Sequence, residues 1–145
     1  MEYNLAICHE VREEMKQFFK SSRVEKTCLL GARKEEEEYI VVDFRTIPVE
    51  DILEQGYKSI GINGKAIKRV IETGIETGWD IFFIIHNHTF PIFYLSKADI
   101  ESMNKITTYL SNHKINMLHG VGIYCFGTLK LYIKSNNQVF RFKIK

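Results

Sequence analysis

The sequence lacks most features that mark secreted, membrane-spanning or nucleic-acid-binding proteins. It has three cysteines among 145 residues, none of them in a Cys-x-x-Cys pair, and no N-terminal signal-peptide pattern. Dispersed cysteines without a secretion signal predict reduced, core-filling thiols in the cytoplasm. The longest apolar run, Ile81–Ile85, is too short to cross a bilayer, so no membrane partner is expected.

An excess of charge of either sign is also lacking. Lys and Arg number 20 and Asp and Glu 18, and no basic stripe stands out, so we expect no nucleic-acid partner. The short acidic run Glu35–Glu38 lies between two apolar segments and predicts an exposed hairpin turn. The sequence has no repeat or low-complexity segment, and its length fits a single domain over residues 1–145.

Hydrophobic periodicity predicts strands alternating with helices. Helices are expected over residues 8–20 and 97–112, with another between them that carries Ile67 and Ile75 on one face. The strands are predicted at Tyr3–Ile7, Val24–Ala32, Tyr39–Ile47, Asp80–Ile85, Met117–Phe126, Leu129–Lys134 and Gln138–Ile144. The irregular segment Pro48–Gly64 predicts a long surface loop. This order of elements favours an α/β fold, with helices packed on a mixed β-sheet.

Two histidines and an aspartate form the most informative pattern. His86 and His88 end the buried strand, and alternate side chains of an extended segment point to the same side. Asp99 falls in the first turn of the next helix and shares a face with its apolar residues, so its carboxylate is expected to point inward. A buried carboxylate needs a partner, and a metal cation is one good candidate.

These three residues make a ligand set suited to zinc. Two imidazoles and one carboxylate leave a fourth position for water, which is the arrangement of a catalytic rather than a structural site. Each piece also has a plainer interpretation. A single histidine near a strand end is usually an ordinary core or surface residue, and Ser96-x-x-Asp99 before an apolar run is typical of a helix capping box. The capping and metal-binding roles of Asp99 are compatible.

The complete pattern, His86-x-His88 followed by Ser96-x-x-Asp99, resembles the JAMM signature of the JAB/MPN metallopeptidase family. The segment Val24–Gly31 is similar to the strand that carries the family's catalytic glutamate, and Glu25 is the matching residue. The chain departs from the family in three places. Glu25 lies one residue closer to Gly31 than is usual, Thr89 stands where a proline is common, and Asn87 between the histidines is similar to RadC-like relatives.

The resemblance implies a three-layer, cytidine-deaminase-like α/β fold and a zinc-dependent hydrolase. It implies that His86, His88 and Asp99 bind Zn²⁺, that Glu25 holds the attacking water and transfers its proton, and that Ser96 donates a hydrogen bond to the developing oxyanion. The reaction expected is hydrolysis of a peptide or isopeptide bond without a covalent intermediate.

The resemblance also implies a class of substrate. Members of the family cut at the C-terminal tail of a ubiquitin-like protein or its conjugates, which would be made by E1-like and E2-like enzymes encoded nearby. The segment Pro48–Gly64 is the candidate for gripping such a tail, by strand addition. Two alternatives remain open: a catalytically inactive MPN-like or RadC-like binding module, and a hydrolase acting on a sulfur-carrier protein or a small conjugate.

Overall fold

The secondary structure follows the predicted order of elements closely. The computed structural model describes residues 3–20, 26–47, 52–54, 61–62, 64–88, 93–135 and 138–145. The helices in these ranges are α1 (His9–Phe19), α2 (Gly64–Thr77) and α3 (Lys97–Asn112). The strands are β1 (Tyr3–Ala6), β2 (Thr27–Glu35), β3 (Glu38–Thr46), β4 (Ile52–Glu54), β5 (Gly61–Ile62), β6 (Ile81–Asn87), β7 (Leu118–Cys125), β8 (Thr128–Ser135) and β9 (Gln138–Ile144).

Seven of these strands form one closed barrel. Their order is β1-β3-β2-β6-β7-β8-β9, and β1 closes it by pairing in parallel with both β3 and β9. The pairs β2–β6 and β2–β3 are antiparallel, whereas β6 and β7 are parallel and are joined through α3. A parallel pair needs a crossover connection of this kind, so α3 lies outside the barrel.

The predicted three-layer, cytidine-deaminase-like arrangement is therefore wrong. That arrangement requires an open sheet with helices on two faces, whereas this sheet closes on itself. The glycines of β7 show how a small barrel accommodates large interior side chains. A Cβ atom on Gly120 would lie 2.6 Å from the Phe83 ring, and one on Gly122 would lie 2.6 Å from both Ile85 and Leu131. Small residues opposite large ones fill the narrow interior of such barrels.

The inward face of the barrel holds the larger of two hydrophobic clusters. Alternate residues of β2 and β6 point into it, including Leu30 and Phe83, and Met15 and Phe19 of α1 join them. The second cluster lies on the outer face, where Leu29 and Phe82 meet residues of α2 and α3. The alternation of each strand therefore divides its residues between an interior cluster and a cluster covered by two helices.

The predicted loop Pro48–Gly64 contains more structure than expected. Its described residues include β4 and β5, which pair with each other in a separate antiparallel sheet of two strands. The prediction of an irregular loop is corrected to that extent. Apolar periodicity gives little signal for strands this short.

Three smaller predictions concern the turn, the cysteines and the membrane. Glu35 and Glu38 pair across the β2–β3 hairpin, as the acidic run predicts. Cys28 and Cys125 are buried and Cys8 is exposed, and all three are free thiols. Burial raises the pKa of Cys28, so this thiol stays protonated. No helix in the described ranges is long and apolar enough to cross a membrane.

Candidate metal centre

The two histidines lie where β6 ends on the outer face of the barrel. His86 is the Cα partner of Thr27 in β2 and of Ile123 in β7, so the strand end is held from both sides. His88 follows β6 directly, and its N–H donates to the Tyr124 carbonyl at 2.9 Å. The two imidazole rings lie on the same side, with centroids 4.8 Å apart. Strand alternation accounts for this placement.

Asp99 reaches the same point from the first turn of α3. Ser96 is the N-cap residue; its Oγ accepts the Asp99 N–H at 3.0 Å, and its own N–H donates to Asp99 Oδ2 at 2.9 Å. This reciprocal capping box fixes the carboxylate against the helix start. The other oxygen, Oδ1, lies 3.7 Å from His86 Nε2. One carboxylate thus caps the helix and faces the histidine.

The spacing of the three groups fits a metal ion. One ligand atom from each of His86, His88 and Asp99 lies within 4.8 Å of the others. At 3.7 Å the Nε2 and Oδ1 atoms are too far apart for a hydrogen bond. Zinc–nitrogen and zinc–oxygen bonds of about 2.1 Å at a tetrahedral angle place two ligand atoms roughly 3.4 Å apart. A small contraction would therefore bring both atoms onto one zinc ion.

The buried Nε2 atom supports the same interpretation. His86 is 7% exposed, and its Nε2 has no hydrogen-bond partner among the described residues. A buried polar atom without a partner is costly, and a ligated cation would remove that cost. Burial lowers the pKa of His86, although the Asp99 carboxylate opposes this effect, and His88 lowers it further. The imidazole is therefore neutral at physiological pH, which is the form that binds metal.

The structure describes only some of the other residues that the sequence predicts for the site. Ser96 adjoins Asp99 as its capping partner, with its oxygen already accepting one hydrogen bond. Glu25 lies outside the described residues, as do Thr89 and most of Pro48–Gly64. The next residue, Lys26, lies at the strand end that carries the histidines, because its N–H donates to Asn87 Oδ1 at 2.6 Å.

Sequence reasoning missed two residues next to this centre. Asn87 is 5% exposed, and its side chain ties β6 to the chain just before β2, which fixes the strand end between the two histidines. Thr27 lies beside His86, and its buried Oγ1 has no hydrogen-bond partner in the part of the chain described. The sequence marks Asn87 only as a departure from the family pattern and marks Thr27 by no motif, whereas the β2–β6 register identifies both.

A cavity of about 490 Å³ opens beside the centre, between the outer face of the barrel and helices α2 and α3. His86 and Asp99 line it at the metal centre. Its other described lining residues include Ile67, Ile84, Lys105, Tyr109, His119 and Val121. The volume lies within the range of about 300 to 1,000 Å³ that is usual for ligand pockets. Sequence reasoning did not find this cavity.

Comparisons with known proteins establish the fold but no function. No protein-family model matches the chain, and no curated protein does. Among solved structures, it is similar to the solution structure of protein DSY2949 from Desulfitobacterium hafniense. The two share 14% sequence identity with a TM-score of 0.64, over 97% of this chain and 91% of that one. At this identity the similarity shows the fold alone, since one fold can carry many functions.

The buried His119 predicts how stability depends on pH. Burial of the ring lowers its pKa to about 3 from an ordinary 6.5, although the Phe82 backbone opposes the shift. Below pH 6.5 the His119 imidazole binds a proton in the unfolded chain but stays neutral in the folded chain, so stability falls as the pH drops towards 3. At pH 5 this effect of His119 alone lowers the free energy of unfolding by about 2 kcal/mol.

Between pH 7 and pH 5, the free energy of unfolding of His119→Phe should therefore fall by about 2 kcal/mol less than that of the wild type. Denaturant unfolding of the chelator-treated proteins measures this difference. Val42→Phe, which places a phenylalanine at an exposed position of β3 and removes no titratable group, provides the control and should leave the pH dependence unchanged. Equal losses in the wild type and His119→Phe would contradict a neutral, buried His119.

Proposed function

We propose that the chain is a zinc-dependent hydrolase of the JAMM type, with His86, His88 and Asp99 as its metal ligands. The observation that carries the proposal is the convergence of these groups around the unpartnered Nε2 of His86. Three protein ligands leave a coordination position open for water or substrate, which is typical of catalytic zinc. A structural zinc site would use four protein ligands.

His86, His88 and Asp99 would hold the zinc ion, which would supply a Lewis acid and lower the pKa of water at the site towards about 7. Glu25 takes the proton of the attacking water and passes it to the leaving amine. None of the three cysteines takes part.

Ser96 donates a hydrogen bond to the oxyanion that develops on the scissile carbonyl. Its Oγ accepts a hydrogen bond from the Asp99 N–H, so the hydroxyl proton remains available to donate. The capping box also fixes the position of the hydroxyl relative to the metal ligand Asp99. A donor held in place in this way needs no rearrangement during the reaction.

The proposed reaction is hydrolysis of a peptide or isopeptide bond at the C-terminal tail of a ubiquitin-like protein, in the cytoplasm. Every strand of the barrel has a neighbour on each side, so only parts of strands that extend past a partner, such as residues 41–46 of β3 beyond β1, could pair with an extended tail. The small sheet β4–β5 is different, because each of its strands pairs only with the other among the described residues. Strand addition to this sheet remains our hypothesis for gripping a tail made by E1-like and E2-like enzymes.

The cavity beside the metal centre favours a second candidate substrate class, a small conjugate or sulfur-carrier adduct. A tail of small residues would leave most of a volume of about 490 Å³ unfilled. The remaining alternative is an inactive binding module, which would need no metal-bound water. The two proposed substrate classes share the same ligands and the same reaction.

Metal removal tests the proposed function. The zinc-loaded protein should cleave a ubiquitin-like protein fused to a reporter peptide or coupled through its C-terminus to a small amine, chelation should abolish cleavage, and added zinc should restore it. Alkylation of the exposed Cys8 thiol is the control and should leave the rate unchanged. Cleavage that survives chelation, or zinc-loaded protein that cleaves neither substrate, would overturn the proposal.

A further inference from the structure

The cavity beside the metal centre is a long groove. It extends along β6 and β7 from His86 to His119, and His119 is the Cα partner of Phe82 in β6. His86 and Phe82 are four residues apart, or about 13 Å along a strand. On the helix side the lining runs from Asp99 to Tyr109, about 15 Å along α3. One end of the groove is therefore the metal centre, and the other end is His119.

The middle of the groove is apolar and offers no backbone partners. Ile67, Ile84, Ile106 and Val121 line it. Strands β6 and β7 are paired on both sides, and each helix uses its own backbone groups away from its ends. An extended peptide along these four residues would bury amide groups that their side chains cannot bond, which costs free energy. The lining therefore favours an alkyl or aromatic chain over a peptide backbone.

Beyond the metal centre and the adjoining Thr27, the polar lining residues of the groove are His119 at its far end and, on the helices, Lys68, Ser102, Lys105 and Tyr109. His119 is 4% exposed, and its Nδ1 has no hydrogen-bond partner within the described ranges. Its ring also borders a second cavity of about 210 Å³. Lys68 and Lys105 are exposed lining residues, and neither has an ion-pair partner in the described part of the chain. Away from the metal centre and the adjoining Thr27, the groove thus presents two exposed cationic groups on its helices and one buried, unpartnered nitrogen at its far end.

We propose that the groove binds an elongated apolar group with an anionic head and a single hydrogen-bonding atom at its far end, of which an ω-hydroxy medium-chain carboxylate is the simplest example. The apolar walls bury the chain, the two lysines meet the head, and His119 Nδ1 bonds the far atom. This inference rests on the proposed function only for its link to the substrate. In the proposed substrate, the group bound in the groove lies on one side of the scissile amide and a carrier protein lies on the other.

Binding of simple carboxylates to the zinc-loaded protein, measured by calorimetry, tests the groove. Affinity should rise about fourfold for each of the four methylenes added from hexanoate to decanoate, roughly 250-fold in all. Comparing chain lengths cancels the contribution of the shared carboxylate, including any contact with zinc. An affinity independent of chain length would overturn the inference.

Variants of the lining locate the bound chain. Val121→Phe should fill the groove and abolish the chain-length dependence, whereas Val42→Phe on the exposed part of β3 should not. Ile67→Phe provides a second obstruction if Val121→Phe fails to fold. Undiminished decanoate binding in a folded obstructed variant would place the chain elsewhere and refute the inference.

The ω-hydroxy analogue of decanoate tests His119. A hydroxyl can donate or accept, so it satisfies either tautomer of the imidazole. In the wild type this analogue should bind at least as tightly as decanoate. In His119→Phe it should bind about 10-fold more weakly than decanoate, because the hydroxyl is then buried without a partner. The same preference in both proteins would remove His119 from the site.

The zinc content of each sample separates this inference from the proposed function. Zinc without chain-dependent binding would refute the groove and leave the hydrolase proposal standing. Binding that depends on chain length in protein that holds no zinc would refute the hydrolase proposal and leave the groove standing.

Discussion

Replacing His88 by alanine should abolish both zinc binding and hydrolysis. Loss of one of three protein ligands leaves His86 and Asp99 as the only protein ligands, too few to hold zinc firmly. Loss of an outer partner of a metal ligand alone weakens binding by about 10- to 100-fold, so loss of a ligand should exceed about 100-fold. Competition with a zinc chelator, together with zinc analysis of the purified variant, measures this effect.

Alanine substitutions at Ser96 and Asp99 distinguish the metal-binding role of Asp99 from its helix-capping role. Alanine at either position breaks the same capping box and costs about 1 kcal/mol of stability. Asp99→Ala should lose zinc as His88→Ala does. Ser96→Ala should keep zinc and lose about 10²- to 10³-fold in turnover, as expected for one oxyanion donor. Equal zinc affinities in the two alanine variants would show that Asp99 only caps the helix.

Glu25→Gln should keep zinc and lose turnover by about 10²- to 10⁴-fold, the usual contribution of a general base. Glutamine keeps the shape of the side chain but cannot take the proton of the attacking water. The measurement is kcat for the fusion substrate, made beside zinc analysis of the same preparation.

Glu13→Gln is the matched control for this substitution. Glu13 is an exposed residue of α1 that matches no family motif, and its substitution should leave both zinc and turnover unchanged. Full activity in Glu25→Gln would show that another group serves as the base, even with zinc bound. Loss of zinc in Glu25→Gln would instead make Glu25 a ligand or a structural residue.

The residues of the candidate centre could be found from sequence because their geometry is local. His86 and His88 share a side of the chain through strand alternation, and Asp99 is set on α3 by a capping box that the sequence itself displays. Both elements belong to one unit, β6–α3–β7, whose parallel strands require the helix to cross over. Short-range periodicity was therefore enough to bring the three residues near one another.

The closed barrel could not be found in this way. Periodicity predicts a strand at Tyr3–Ile7 but not that it pairs with both β3 and β9, and this double pairing closes the sheet. Such neighbours depend on contacts between residues far apart in the chain. The predicted layers were wrong for this reason, while the candidate centre depends on β6 and α3 alone.

The groove was missed because its parts come from separate elements. His119 faces Phe82, with ring centroids 4.7 Å apart, only because β6 and β7 are in register. Ile67 and Ile106 line it from two different helices. In the sequence, each of these residues is an ordinary member of an apolar pattern. A buried histidine in a strand carries no signal of its own.

X-ray absorption spectroscopy of the zinc-loaded wild type examines the proposed metal centre itself. We expect about one zinc ion per chain, with a first shell of nitrogen and oxygen at about 2.0 to 2.2 Å and a histidine signature. A shell containing sulfur at about 2.3 Å would place the metal on a cysteine. That result, or the failure of the protein to bind zinc at all, would contradict a centre formed by His86, His88 and Asp99.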